Sequence, residues 1–430
     1  MMVCFQNDEF QFAFERALAG SYRQCADVGE VLATAARITD GNADSWVQAW
    51  TSTAGEAWAA GTQARPSGRP VSSLAHFRRA ATYYATALSQ IAHSTEAHRR
   101  LDIWRRQRSC WEQIVDLCPT PAERISIAYE ETVLPGFFFP AAGSTGEQRP
   151  LVIINNGCYQ ATSEMWAVAG AAAAERGYHW LAFDGPGQQA MLFERGVAFR
   201  PDWEAVLRPV VEAALARPDV DPDRLAVIGV GQGGYWVARA LCFEHRFAAA
   251  VLDPGVLDVS TAWVDRLPSE MRQSLIDRRQ SAFDREMHLA ELFAPGGAEA
   301  VRFHGEPYGH NGGSTFRLFL TVAEYCLGEE VQQIRTPLLL TESEGESRWP
   351  GQSRRLHDRL RCPKQIVTFN AQDSAGGHSE PPAQAIRETR IFDWLEAYLG
   401  DSVVAPELQY SVTEEPIQRL RDRDADPGAM

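Results

Sequence analysis

Two hydrophobic grammars divide the chain. Up to about residue 120 the apolar positions recur three and four apart. Leu74, Phe77, Ala81 and Tyr84, in and beside the run FRRAATYYATAL, fall on one helical face. Residues 1–120 therefore read as an all-helical cap domain, whose aromatic stripe is core or inter-domain packing rather than a cofactor box. From about residue 124 short apolar runs take over: RISIAYEE, LPGFFFP, PLVIINN, HWLAFD, LAVIG, AAAVLD, TPLLLTE and QIVTFN. They alternate with helical patterns, which predicts a mostly parallel sheet covered by helices on both faces, an α/β fold. Two strands before the first crossover helix predict an antiparallel hairpin at the sheet edge. The core spans 121–255 and 331–400. Between them, residues 256–330 carry helical segments such as MRQSLIDRRQSAFDREMHLAELF, placed to form a lid over the C-terminal ends of the strands. Residues 401–430 form an acidic, Pro-containing tail expected to be poorly ordered.

Composition narrows the function classes. Of 430 residues, 45% are hydrophobic and 23% charged, a soluble globular balance. The net charge of −15 disfavours nucleic acid and anionic membranes as partners. No signal peptide opens the chain and no apolar stretch reaches spanning length, so the expected location is cytoplasmic. Eight cysteines lack C-x-x-C or Cys/His ligand spacing, which argues for reduced thiols and against a metal site.

The chemistry concentrates at LAVIGVGQGGYW, residues 225–236. Gly229, Gly231 and Gly234 meet the dinucleotide fingerprint G-x-G-x-x-G, with Asp253 ending the next strand about 20 residues on. Gly229 and Gly233 also meet the hydrolase elbow G-x-S-x-G, with glycine at 231 where the nucleophile belongs. The fingerprint normally opens its nucleotide-binding unit, whereas three or four strands precede this one. It also leaves NNG at 155–157, DGPGQQ at 184–189 and the late His378 unexplained. The elbow explains them, because its triad runs in the order nucleophile, acid, histidine. After Gly231 come the strand TPLLL with the loop TESEGESRWPGQ, then QIVTFN with the loop AQDSAGGHSEP. Glu346 is the candidate acid, with Glu344 and Asp253 as alternatives, and His378 is the candidate base. Asp184 reads as a turn carboxylate.

The motifs AATYYATA, FDGPGQQ (183–189), FRPDWEAV (199–206), VIGVGQGGYW (227–236), WPGQSRRLHDRL (349–360) and FDWLEAYLG (392–400) carry a family resemblance. Roughly residues 75–400 resemble the α/β-hydrolases with an N-terminal helical domain, the group of 2,6-dihydroxypseudooxynicotine hydrolase and the fungal heptaketide naphthopyrone hydrolases. The resemblance implies cofactor-free hydrolysis of a C–C bond next to a ketone, or of an ester, at a serine between helical domain and sheet. It also implies an aromatic or polyketide-like small-molecule substrate and a homodimer.

Departures from that pattern cluster around one site. Gly231 replaces the serine, and the loop after NNG reads Cys158, Tyr159, Gln160. Arg348 precedes Trp349 where a Phe is usual, and the histidine loop reads AGGHSE. Several departures in one place point to a repurposed pocket. Covalent catalysis through position 231 is excluded. The backbone N–H groups of Gln232 and Cys158 remain candidates for an oxyanion hole. Gly157, Tyr159, Gln160, Tyr235 and Tyr308 are the expected substrate-binding residues, and His310 sits with Tyr308 in EPYGHNGG. Cys158 itself reads as an inert thiol rather than a displaced nucleophile. The expectation is an enzyme in which a His378–Glu346 dyad and a backbone oxyanion hole work without a covalent intermediate. The competing expectations are a silent ligand-binding protein and a disabled serine hydrolase.

Overall fold

In the computed structural model, which describes residues 3–400 apart from Thr145, Ala294 and Ser374, the eight apolar runs form one eight-stranded sheet. The strands are β1 (Glu123–Tyr129), β2 (Thr132–Phe139), β3 (Arg149–Asn155), β4 (His179–Phe183), β5 (Val220–Val230), β6 (Ala249–Asp253), β7 (Leu338–Ser343) and β8 (Lys364–Phe369). Their spatial order is β1-β2-β4-β3-β5-β6-β7-β8. β1 and β2 pair antiparallel at the edge, as the sequence predicts, and β2 pairs antiparallel with β4. All other pairs are parallel.

The near-continuous apolar character of β3, β4 and β6 follows from burial on both faces: every residue of β4 and β6 is buried. Alternate residues feed two cores. Val152, Ile154, Trp180 and Ile228 join the core shared with the N-terminal helices and with the helix Gln384–Leu399. Leu151, Ile153, Leu181 and Val227 face the opposite core, with the helices Glu204–Leu215 and Gly233–Leu241.

The N-terminal part folds as the helices Asp8–Ala19, Val28–Ala35, Ala43–Ala64, Pro70–Leu88 and Arg100–Leu117, joined by short turns. Leu74, Phe77, Ala81 and Tyr84 are buried on Pro70–Leu88, as their spacing requires. The helix Arg100–Leu117 docks onto the core through polar side chains. Trp104 Nε1 donates to Gln189 Oε1 at 2.9 Å, and Arg108 Nη1 donates to Asp184 Oδ2 at 2.9 Å. Asp184 is fully buried and also accepts from the Thr162 hydroxyl, so it is a structural carboxylate that ties three segments together.

The insertion between β6 and β7 holds the helices Thr261–Val264, Ser269–Ile276, Gln280–Phe293, Pro295–Gly305 and Thr315–Ala323. It reaches back to the helical part through a two-pronged ion pair, Arg100 to Glu306, at 2.5 and 3.0 Å. No helix among the described residues is long and apolar enough to cross a membrane. The tail at 401–430 lies outside the described residues.

Candidate active site

The elbow is built by glycines with different duties. β5 ends at Val230, Gly231 makes the turn, and the helix Gly233–Leu241 follows at once. A Cβ on Gly229 would overlap the Gly233 carbonyl, and one on Gly234 would overlap the Pro254 carbonyl oxygen. A Cβ on Gly233 would lie 2.6 Å from the Asn155 carbonyl oxygen. These three positions need hydrogen as a side chain because backbone approaches backbone. Gly231 differs. Its φ is +57°, the left-handed region, yet a Cβ there would meet nothing nearer than Gly157 Cα at 3.9 Å. The left-handed turn and the open space occur together at a position that carries no side chain. Gly231 N–H donates to the Asp253 carbonyl at 2.7 Å, fixing the turn to the neighbouring strand.

Glu346 and His378 meet across the loops that follow β7 and β8. His378 Nδ1 lies 2.6 Å from Glu346 Oε2, and both side chains are nearly buried. The other carboxylate oxygen accepts the backbone N–H groups of Arg348 at 2.7 Å and Trp349 at 3.1 Å. Burial alone would raise the Glu346 pKa. The hydrogen bond and charge of His378, with the two backbone donors, outweigh it and hold this carboxyl below its ordinary value. An ionised carboxylate can only accept, so His378 Nδ1 donates the hydrogen of this bond. The ring is held by Trp349, edge-on at 5.8 Å, and by Phe12 of the first helix, also at 5.8 Å.

The alternative acids are otherwise engaged. Glu344 is exposed and accepts the Ala371 backbone N–H at 3.1 Å. Asp253 is fully buried, accepts the Thr341 hydroxyl at 2.6 Å and forms an ion pair with Arg387, whose Nε donates at 2.7 Å.

The second loop of the site is braced from beneath. Trp203 Nε1 donates to Asn155 Oδ1 at 2.7 Å, and Gln188 Nε2 donates to the Asn156 carbonyl at 2.8 Å. Gly157 N–H donates to Gln160 Oε1 at 2.9 Å. Gln160 is thus occupied in shaping its own loop. Among the described residues the backbone N–H groups of Gln232 and Cys158 donate to no oxygen, and that of Cys158 lies within hydrogen-bonding reach of its own sulfur. Gln232 is buried, and its side-chain carbonyl accepts the Tyr308 hydroxyl at 2.9 Å, so Tyr308 reaches the elbow from the insertion. Burial pushes the Cys158 thiol up to about 11 against the weaker opposing pull of Arg348, consistent with an inert thiol.

Tyr159 keeps 43% of its surface accessible, yet protein around it desolvates the hydroxyl enough to raise its pKa well above the ordinary value. Open surface with enclosing protein marks the wall of a cleft. Beside it are His304, in edge contact at 5.0 Å and accepting the Tyr159 hydroxyl on its carbonyl at 3.4 Å, and Phe303 at 6.3 Å.

Tyr235 is a correction. The helix rotates it away from the cleft, its side chain is 1% exposed in the core, and its hydroxyl donates to the Pro201 carbonyl at 3.1 Å. It packs against Tyr325 and does not line the cleft. His310 lies beside Gly305 and lines, with Tyr308, Ser314 and Arg317, a separate cavity in the insertion. Sequence reasoning missed Phe12, which reaches the site from more than 300 residues away in the chain, and Arg387, which occupies Asp253. Gln188 and Trp203 lie within FDGPGQQ and FRPDWEAV, where nothing in the sequence marks them as braces.

Known proteins place the chain in a family. The hydrolase acrC of Aspergillus aculeatus is 33% identical over 298 residues, covering 65% of this chain and 69% of that protein. The chain belongs to the α/β-hydrolase family. The 20-hydroxy-prefusarin hydrolase FUS2 of Gibberella moniliformis is 31% identical over 276 residues, covering 63% of this chain and 66% of that one. The family model of the prolyl oligopeptidases matches residues 202–292, the part holding the elbow. Among solved structures, the 2,6-dihydroxy-pseudo-oxynicotine hydrolase superposes with a TM-score of 0.71 at 18% identity, over 91% of this chain and 97% of that one. That likeness supports the fold, helical part included.

Proposed function

We propose that this hydrolase-family chain is a cofactor-independent enzyme acting on an aromatic or polyketide-like ketone or ester by a non-covalent mechanism. The observation that carries the reading is the buried His378–Glu346 pair, together with a nucleophile position that holds no side chain. In this mechanism Nε2 removes a proton from water or from a carbon next to the carbonyl. Glu346 stabilises the imidazolium that forms. The N–H groups of Gln232 and Cys158 stabilise the negative charge developing on the carbonyl oxygen, an effect worth a few kcal/mol in such sites. Water attack gives C–C or ester hydrolysis, whereas collapse of the enolate gives a lyase, cyclase or isomerase step of the kind secondary metabolism uses. His378→Ala tests the reading on a panel of aryl ketones and esters. Turnover should be abolished while ligand binding persists, and turnover at the parent rate rejects the dyad.

A second reading has its own observation. The unfilled space at Gly231 beside a retained elbow equally suits a serine hydrolase disabled at one atom group, or a silent binding protein. Gly231→Ser separates them. Fast ester cleavage with a burst of acyl-enzyme favours the disabled hydrolase, and little gain favours the non-covalent enzyme.

A further inference from the structure

Beside the dyad, guanidinium groups and an aromatic ring pack together. The Phe12 ring, 5.8 Å from the His378 ring, has the Arg348 guanidinium carbon 5.7 Å from its centroid and that of Arg16 at 5.9 Å. Their carboxylate partners do not fully neutralise this group. Arg16 pairs with Glu164, while Arg348, at 3.2 Å, and Arg266, at 3.9 Å, share the single carboxylate of Glu9. In these ion pairs three guanidiniums share two carboxylates, the nearby Glu346 being engaged by His378, and Arg348 is partly exposed.

Arg348 also acts electrostatically across the cleft. It favours the anionic forms of Cys158 and Tyr159 on the oxyanion loop, against the larger effect of burial on both. It also opposes protonation of His304, which burial first, then His93, Arg348 and Arg266, push down to about 3. His304 is therefore neutral, and the positive charge that faces the cleft is that of the arginines. A planar guanidinium matches the spacing of two oxygens on one flat group and binds them through parallel N–H donors.

We propose that Arg348, assisted by Arg16, is a substrate-binding residue that selects a flat conjugated compound bearing a planar oxyanion pair, a carboxylate or its equivalent. The conjugated ring lies against Phe12 and Tyr159. This deepens the reading of the dyad as an active site and rests on it for the word substrate. The binding claim does not depend on turnover. Holding the anionic end at Arg348, two residues after Glu346, places the rest of the molecule over His378 and the elbow.

The test uses 2-naphthoate and 2-naphthamide, equal in shape and different in charge, titrated calorimetrically into the full chain. Naphthoate should bind roughly tenfold or more tightly than naphthamide, as a charge-assisted bidentate contact requires. That advantage should shrink with added salt. Arg348→Gln should remove the preference without lowering the melting temperature by more than a degree or two. Arg348→Lys, which keeps the charge and loses the fork, should retain part of it. Equal affinity for the two probes, or a preference that survives Arg348→Gln, overturns the assignment. Because both probes report binding alone, this result is independent of the His378→Ala turnover test, and either can fail without the other.

Discussion

Alanine placed at each elbow glycine in turn should separate conformational from steric need. At Gly231 the only cost is the backbone. A non-glycine residue at φ +57° loses about 1–3 kcal/mol to left-handed strain. Restricting the unfolded chain returns about 0.4–1 kcal/mol. The nearest atom to the new Cβ, Gly157 Cα at 3.9 Å, is in ordinary contact and adds nothing. The net loss for Gly231→Ala is therefore about 0–2.5 kcal/mol. At Gly234 the new Cβ would overlap the Pro254 carbonyl oxygen, and at Gly229 the Gly233 carbonyl. Neither neighbour is a flexible side chain, so strand or helix must shift, and about 3 kcal/mol or more should be lost. Melting curves of the three variants, with the soluble yield of each, read the difference. Gly231→Ala should melt within a few degrees of the parent, while Gly229→Ala and Gly234→Ala should melt far lower or fail to accumulate. Equal losses at all three positions would refute the claim that position 231 has room for a side chain.

Further outcomes follow from the other side chains. Glu346→Gln should cut turnover by about 10²–10⁴, because the amide no longer holds His378 in the tautomer with Nε2 free or stabilises its charged form; steady-state kinetics should show the loss in kcat rather than KM. Arg387→Met leaves buried Asp253 without its cation and should cost about 3–5 kcal/mol, and the double variant with Asp253→Asn should recover much of it in denaturant titration. Glu346 also shapes the acid limb of stability. Its folded pKa is depressed, so its contribution is present above the unfolded value of about 4.3 and is lost as pH falls through the folded value. Glu346→Gln should flatten the melting-temperature profile below that pH. Glu380 has the opposite sign. Burial first, then the charge of Asp253, raises its pKa well above the ordinary value. Its contribution is complete below about 4.3 and is lost as pH rises toward the folded value. Glu380→Gln should therefore raise the melting temperature at pH 8 relative to the parent and leave it nearly unchanged at pH 4.

What could be read from the chain depended on whether the relevant force was local. The buried parallel strands were legible because burial on both faces leaves no polar position inside them, as the fully buried β4 and β6 illustrate. The dyad was legible because the order of elbow, acid loop and histidine loop follows from topology, and Glu346 differs from Glu344 in lying four residues before Pro350 in the acid loop. Phe12 gave no signal, since an aromatic residue on an amphipathic helix looks the same whether it meets its own domain or His378. Asp253 stayed open as an acid because its neutralising Arg387 lies 134 residues later. Tyr235 was misplaced for a related reason. It follows the elbow closely in sequence, but each helical residue turns about 100°, and that rotation points its ring into the core.

The glycine at 231 gains meaning from what surrounds it. Loss of a nucleophile with no further use for the site would relax the demand on every group that served it. Around Gly231 the demanding features persist together: a left-handed turn, three glycines that permit backbone contact, and a carboxylate held by two backbone donors against the pull of burial. A buried carboxylate is costly to keep ionised, and the hydrogen bonds that achieve it here orient one imidazole and pin the loop at Arg348 and Trp349. Stability alone would favour replacing Glu346 and His378 with apolar residues. Under the proposed reading the imidazole serves a reaction that needs a base and an oxyanion site and has no need of a serine.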